Sequence, residues 1–214
     1  TSGGAAGASI PVDGDSVYIG DGALGYTVTI PAGVNAAVGH VFIGSGTVTT
    51  SSSLTLGAAT ATLAISGNIT INKPAGNAVN ALLINAGSVT VAGNVTYAGT
   101  TTQNARVARI TITTGSLDIS GNLVFTTGSA QNNSLDMSGG AGTLILRGLW
   151  TATVGSLNSS ATSTVKFIST LAQTIPSGVG NFNNIEINNS NASGVTLGGA
   201  LTATTLKGNI VIGN

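Results

Sequence analysis

From Ala81 to Ala152 apolar residues alternate with polar ones in short bursts. Ser88-Val89-Thr90-Val91 is one, Ser116-Leu117-Asp118-Ile119 a second and Thr143-Leu144-Ile145-Leu146 a third. A period of two sends successive side chains to opposite faces of a strand. Val89, Val91, Leu117, Ile119, Leu144 and Leu146 therefore point to one side, and Thr90 and Asp118 to the other. Each burst stops at a Gly-containing corner, and no stretch carries a helical period.

The bursts themselves repeat. Ala81-Leu82-Leu83-Ile84, Ser88-Val89-Thr90-Val91 and Asn94-Val95-Thr96-Tyr97 form one unit; Arg109-Ile110-Thr111-Ile112, Ser116-Leu117-Asp118-Ile119 and Asn122-Leu123-Val124-Phe125 form the next. A marker glycine recurs at Gly67, Gly93, Gly121 and Gly148, in steps of 26, 28 and 27 residues. Three strands in about 27 residues predict an all-β, single-domain parallel β-solenoid (β-helix), its three-strand rungs stacked ~4.8 Å apart on a continuous apolar core. A β-sandwich is the competing all-β reading, but it predicts hairpins and no fixed register. One domain over 1–214 is expected, with opening rungs over 1–35, regular rungs over 36–148 and C-terminal rungs over 149–214. At ~4.8 Å per rung, about eight rungs would span about 40 Å.

The dipeptides Gly67-Asn68, Gly93-Asn94, Gly121-Asn122 and Gly208-Asn209 read as one sharp bend repeated, with positive φ as the reason for these residue types. Stacking the bends would align Asn68, Asn94 and Asn122 in a structural ladder. Asn68, Asn94, Asn132, Asn158, Asn188 and Asn191 also head Asn-X-Ser/Thr triplets, which arise by chance in so Ser/Thr-rich a chain and matter only on exposed loops.

Composition narrows the function. Only 6% of residues are charged, six basic against six acidic, with no Cys and one His; roughly 25% charged is usual. No basic field is available for nucleic acid, and no apolar run approaches the ~18 residues of a membrane-spanning helix. Thiol chemistry and zinc sites are nearly excluded, and few groups remain for acid–base work. No catalytic residue and no cofactor is assigned. The start at Thr1-Ser2-Gly3-Gly4 reads as a mature extracellular or cell-surface chain after removal of a secretory signal peptide.

Candidate chemistry is sparse. Gly20-Asp21-Gly22-Ala23-Leu24-Gly25 matches a dinucleotide fingerprint, but the alternating Tyr26-Thr27-Val28-Thr29-Ile30 that follows is a strand where that motif requires a helix. Asp13, Asp15 and Asp21 are weak calcium candidates without an established loop pattern. Asp136, Lys166 and Glu186 are each the outward centre of a strand and would stack as a charge ladder of alternating sign. Two such carboxylates two rungs apart would lie ~9–10 Å apart, at the edge of the range for an inverting glycosidase. His40, alone at a strand start, reads as structural.

The stretch from Gly148-Leu149-Trp150 through Thr162-Ser163-Thr164-Val165-Lys166-Phe167, Gln173-Thr174-Ile175, Phe182-Asn183-Asn184-Ile185-Glu186-Ile187 and Gly194-Val195-Thr196-Leu197 resembles a repeat of large secreted bacterial surface proteins. Pro11-Val12-Asp13-Gly14-Asp15-Ser16-Val17-Tyr18-Ile19 is similar to their opening rung. The resemblance implies an adhesin-like surface β-helix and supplies no catalytic residue. The expected function is that of a non-enzymatic structural protein, a filament subunit or a segment of a surface fibre. Its expected partner is itself, head to tail, through Val17, Ile19, Val28 and Ile30 at one end and Leu206, Ile210 and Ile212 at the other. The alternatives are an adhesin stalk that binds surface glycans and a polysaccharide-active enzyme.

Overall fold

A computed structural model describes residues 11–22, 24–126, 128–152, 154–200, 202 and 206–213. The chain start at Thr1-Ser2-Gly3-Gly4 lies outside the described residues. Those described form twenty-two strands and no helix, so no helix among them is long and apolar enough to cross a membrane.

The strands fall into three parallel sheets, and the chain visits the sheets in rotation. The first sheet stacks β1 (Ser16–Ile19), β4 (His40–Ile43), β7 (Ile69–Asn72), β10 (Val95–Ala98), β13 (Leu123–Phe125) and β16 (Trp150–Ala152). The second stacks β2 (Thr27–Ile30), β5 (Ser53–Leu56), β8 (Ala78–Ile84), β11 (Arg106–Ile112), β14 (Asn133–Met137) and β17 (Ser156–Ser159). The third runs β3 (Asn35–Val38), β6 (Thr62–Ile65), β9 (Ser88–Val91), β12 (Ser116–Ile119), β15 (Thr143–Leu146), β18 (Thr164–Ser169), β20 (Asn184–Asn189) and β22 (Ile210–Ile212). A pair, β19 (Gln173–Ile175) and β21 (Val195–Leu197), completes the C-terminal turns. The result is a parallel β-solenoid of about seven turns with a spacing of about 26 residues, one turn fewer than expected.

The period of two sets which side chains fill the interior. Val89, Val91, Leu117, Ile119, Leu144 and Leu146 are buried and stack in register, Leu117 between Val89 and Leu144. Thr90 is exposed and Asp118 half-buried on the outer face. Burying each aliphatic side chain contributes about 1.5–3 kcal/mol, and parallel pairing satisfies the main chain between rungs at the same time.

Rung length is not constant. In the third sheet the register steps from Ser88 to Ser116 to Thr143, 28 and then 27 residues, but only 21 on to Thr164 and 20 on to Asn184. Tyr97, Phe125, Trp150 and Phe182 form an interior file of edge-on rings with centroids 4.6, 5.6 and 5.9 Å apart.

Candidate functional site

The most regular feature is the corner between the third and first sheets. The Asn94 N–H donates to Asn68 Oδ1 at 2.7 Å, the Asn122 N–H to Asn94 Oδ1 at 2.7 Å and the Leu149 N–H to Asn122 Oδ1 at 2.8 Å. The ladder is therefore built from side-chain carbonyls and main-chain donors, not from amide stacked on amide. It also begins one rung earlier than the asparagines do. The Asn68 N–H donates to His40 Nδ1 at 3.0 Å, so Gly39-His40 occupies the Gly-Asn slot. Gly208-Asn209 does not continue this column: it leads into β22 of the third sheet, where the Asn209 N–H donates to Asn184 Oδ1 at 3.3 Å, so it is a different bend from the other three.

The glycines of this corner are not selected by positive φ. Positive φ occurs at Gly14, Gly20, Gly33, Gly44, Gly99, Gly178, Gly180 and Gly194, and at no other described residue type. Gly67, Gly93, Gly121 and Gly148 are not among them. What they lack is room: a methyl on Gly121 would lie 2.4 Å from Gly93 O, and one on Gly148 would lie 2.1 Å from Gly121 O. Close stacking of the bends selects glycine here.

The three-membered charge ladder does not form. Lys166 Nζ lies 2.7 Å from Glu186 Oε2 across neighbouring strands of the third sheet. Asp136 belongs to the second sheet, beside Thr111 and Asn158, and its Oδ1 accepts from the Ser138 N–H and hydroxyl at 3.1 and 2.6 Å. The misplacement follows from rung length. Thirty residues separate Asp136 from Lys166, which exceeds one of the shortened turns and carries the chain on to the next face. The carboxylates of Asp136 and Glu186 accordingly do not share a face as a glycosidase pair would. A different ion pair appears at the join between long and short rungs: Arg147 grips Asp118 with Nε and Nη2, both at 2.8 Å. That bidentate contact raises the guanidinium pKa still further.

Among the calcium candidates, Asp13 Oδ1 accepts from the Ser66 hydroxyl at 2.5 Å and Asp15 Oδ2 from the Val12 N–H at 2.9 Å. Asp21 is exposed beside Tyr18 and Tyr26. No group of three His, Cys, Asp or Glu among the described residues could hold a metal ion. Of the triplet asparagines, Asn132 is buried, while Asn158 and Asn188 are exposed.

At the N-terminal end Val17, Ile19, Val28 and Ile30 line a cavity of about 150 Å³ whose walls, Pro11, Ala36, Val38, Val41, Leu54 and Leu63 included, are all apolar. Val28 is 37% exposed. At the other end Leu206 packs against the core and bridges to Phe182, and Ile212 is 75% exposed although its register partner is the inward Ile187.

Composition concealed a buried polar seam between the first and second sheets. Lys73 is 2% exposed, and its Nζ donates to Gly99 O at 3.0 Å and Thr126 Oγ1 at 3.1 Å. Burial pushes its pKa down from 10.5 to about 8. Asn80 holds Asn72 O at 2.7 Å and accepts from the Ser52 N–H at 2.9 Å, and Asn133 holds Thr126 O and Val154 O. The signal was available. Lys73 continues the parity of Ile69 and Ile71, as Asn80 anticipates that of Leu82 and Ile84.

Compared with family models, curated proteins and solved structures, the chain finds no match. The architecture is thus established by its own geometry.

Proposed function

We propose that this chain is a non-enzymatic, extracellular structural element: a stiff segment of a surface fibre that joins further copies end to end. The observation that carries the reading is the pair of apolar patches on the first and last described rungs. Among the described residues, each internal rung interface pairs parallel strands and buries an apolar file, and the rungs at either end keep apolar side chains exposed. Val28 and the apolar cavity lie at one edge, Ile210 and Ile212 at the other. Both patches are apolar, and strand addition would satisfy main-chain groups and bury side chains in one step. The carboxylates Asp118, Asp136 and Glu186 are engaged by Arg147, Ser138 and Lys166, which favours a structural over a catalytic role.

About seven turns at ~4.8 Å make each copy ~35 Å long. Electron microscopy of the purified chain is expected to show rods many copies long, and Ile212→Asp or Val28→Asp is expected to leave single rods. Filaments that persist unchanged in both variants would overturn end-to-end joining. A stalk that binds glycans is the second reading, favoured by a concave strip along one corner that Ser66, Thr90, Ser120 and Arg147 line; a positive glycan-array signal from single rods would select it.

A further inference from the structure

The corner ladder has one member that differs in kind. Asn68, Asn94 and Asn122 accept through an amide oxygen, which keeps its lone pairs at any ordinary pH. His40 accepts the Asn68 N–H through Nδ1 at 3.0 Å. An imidazole nitrogen accepts only while it carries no proton, so this contact requires the neutral ring with its hydrogen on Nε2. A proton added at Nδ1 turns the acceptor into a donor facing a donor, and the hydrogen bond is lost.

We propose that His40 makes the coupling of the first rungs to the rest of the solenoid proton-sensitive. Acid detaches the ladder at its N-terminal member and leaves the asparagine members intact. The half-buried ring sits where such a change would be felt. The His40 and Gly39 N–H groups donate to Asp15 O at 3.1 and 2.8 Å, and the Val41 N–H donates to Asn68 O at 3.0 Å. The corner that His40 closes therefore carries the contacts on both its sides. The outer face next to it carries Phe42, whose ring centroid lies 6.4 Å from the imidazole and which stacks on Tyr18 at 4.6 Å.

The titratable and charged groups on the packed elements all lie on the N-terminal side. They are the carboxylates of Asp13 and Asp15, on the segment leading into β1, and the phenol of Tyr18 on β1 itself. Asp13 is held by Ser66 and Asp15 by the Val12 N–H. From β7 and its corner, Gly67, Asn68, Ile69 and Thr70 bring no titratable group.

The device is independent of whether copies join end to end, because its readout is local. Amide exchange and ¹⁵N NMR on the full chain at pH 7.5 and 5.5 test it, a window above that of ordinary carboxylates. At pH 7.5 the imidazole nitrogens should report the Nε2–H tautomer. Between the two pH values the Asn68 amide, corrected for intrinsic exchange, should lose roughly five- to tenfold protection, the worth of one hydrogen bond, while the Asn94 amide keeps its own. The His40→Asn variant restores an amide acceptor and should hold Asn68 protection constant across the range. An Nδ1–H tautomer at pH 7.5, Asn68 protection that ignores pH in the natural chain, or an equal loss in His40→Asn would each overturn the proposal.

Discussion

The turns before Thr143 and those after it solve one problem in two ways. In the long turns, successive bends are nearly identical, so Gly sits on Gly and Asn on Asn, and main-chain donors find the same partner each time. In the short turns the register step falls to 20–21 residues, and side-chain amides hold carbonyls singly, as Asn80 and Asn133 also do in the seam of the long turns. Gln173 Nε2 reaches Leu146 O and Gly148 O at 2.9 and 2.7 Å, and Asn189 Nδ2 reaches Leu171 O at 2.8 Å. The file of rings runs through both regions, from Tyr97 and Phe125 in the long turns to Phe182 in the short ones. Repetition is thus one means of satisfying a rung's polar groups, and individually placed amides are another.

The largest test of this contrast is in the core. Ile119→Asp puts a carboxylate at a fully buried position and should cost more than about 4 kcal/mol or prevent folding. Ile187→Asp, at a half-buried position of a short turn, should cost less than half as much by urea denaturation. Equal losses would mean that the two regions are packed alike.

The buried seam of the long turns should show itself through pH. Burial holds the pKa of the Lys73 ammonium down to about 8 in the fold against its ordinary 10.5 in the unfolded chain, so between these values the unfolded chain binds more protons. The Lys73 contribution to stability should be least below pH 8 and rise by about 3 kcal/mol towards pH 10.5. Lys73→Met should flatten that rise in denaturation curves at pH 7.5, 9 and 10; a slope that survives the substitution belongs to another group.

Close stacking at the bends is tested by a pair of substitutions. Gly121→Ala should destabilise by about 1–3 kcal/mol, because the new methyl meets Gly93 O. Gly57→Ala, where nothing lies within 4 Å, should be neutral or stabilise by about 0.4–1 kcal/mol. Thermal midpoints that move together would remove close approach as the reason for glycine. Asn94→Ala leaves the Asn122 N–H without its 2.7 Å acceptor and should cost about 1 kcal/mol by chemical denaturation. Smallest is Lys166→Ala, which ends a partly exposed pair and should shift stability by less than about 1 kcal/mol.

The sequence by itself determined the architecture of this protein, because three local rules agree along most of its length. Alternation of period two says strand, the Gly corners say how long each strand is, and the recurrence at 26 to 28 residues says that rungs stack in register. The inward file from Val89 to Leu146 was legible for that reason, and so was the Asn68, Asn94 and Asn122 column. Only the tertiary structure decided which face a charged residue occupies once the turns shorten. Face assignment accumulates every loop length before it, and a change of six residues moves Asp136 away from Lys166 and Glu186. Tertiary structure also decided which groups hold the Lys73 ammonium inside and that His40 opens the ladder. Both depend on what the neighbouring turn places beside them, a relation between residues some 26 to 28 positions apart that local alternation does not contain.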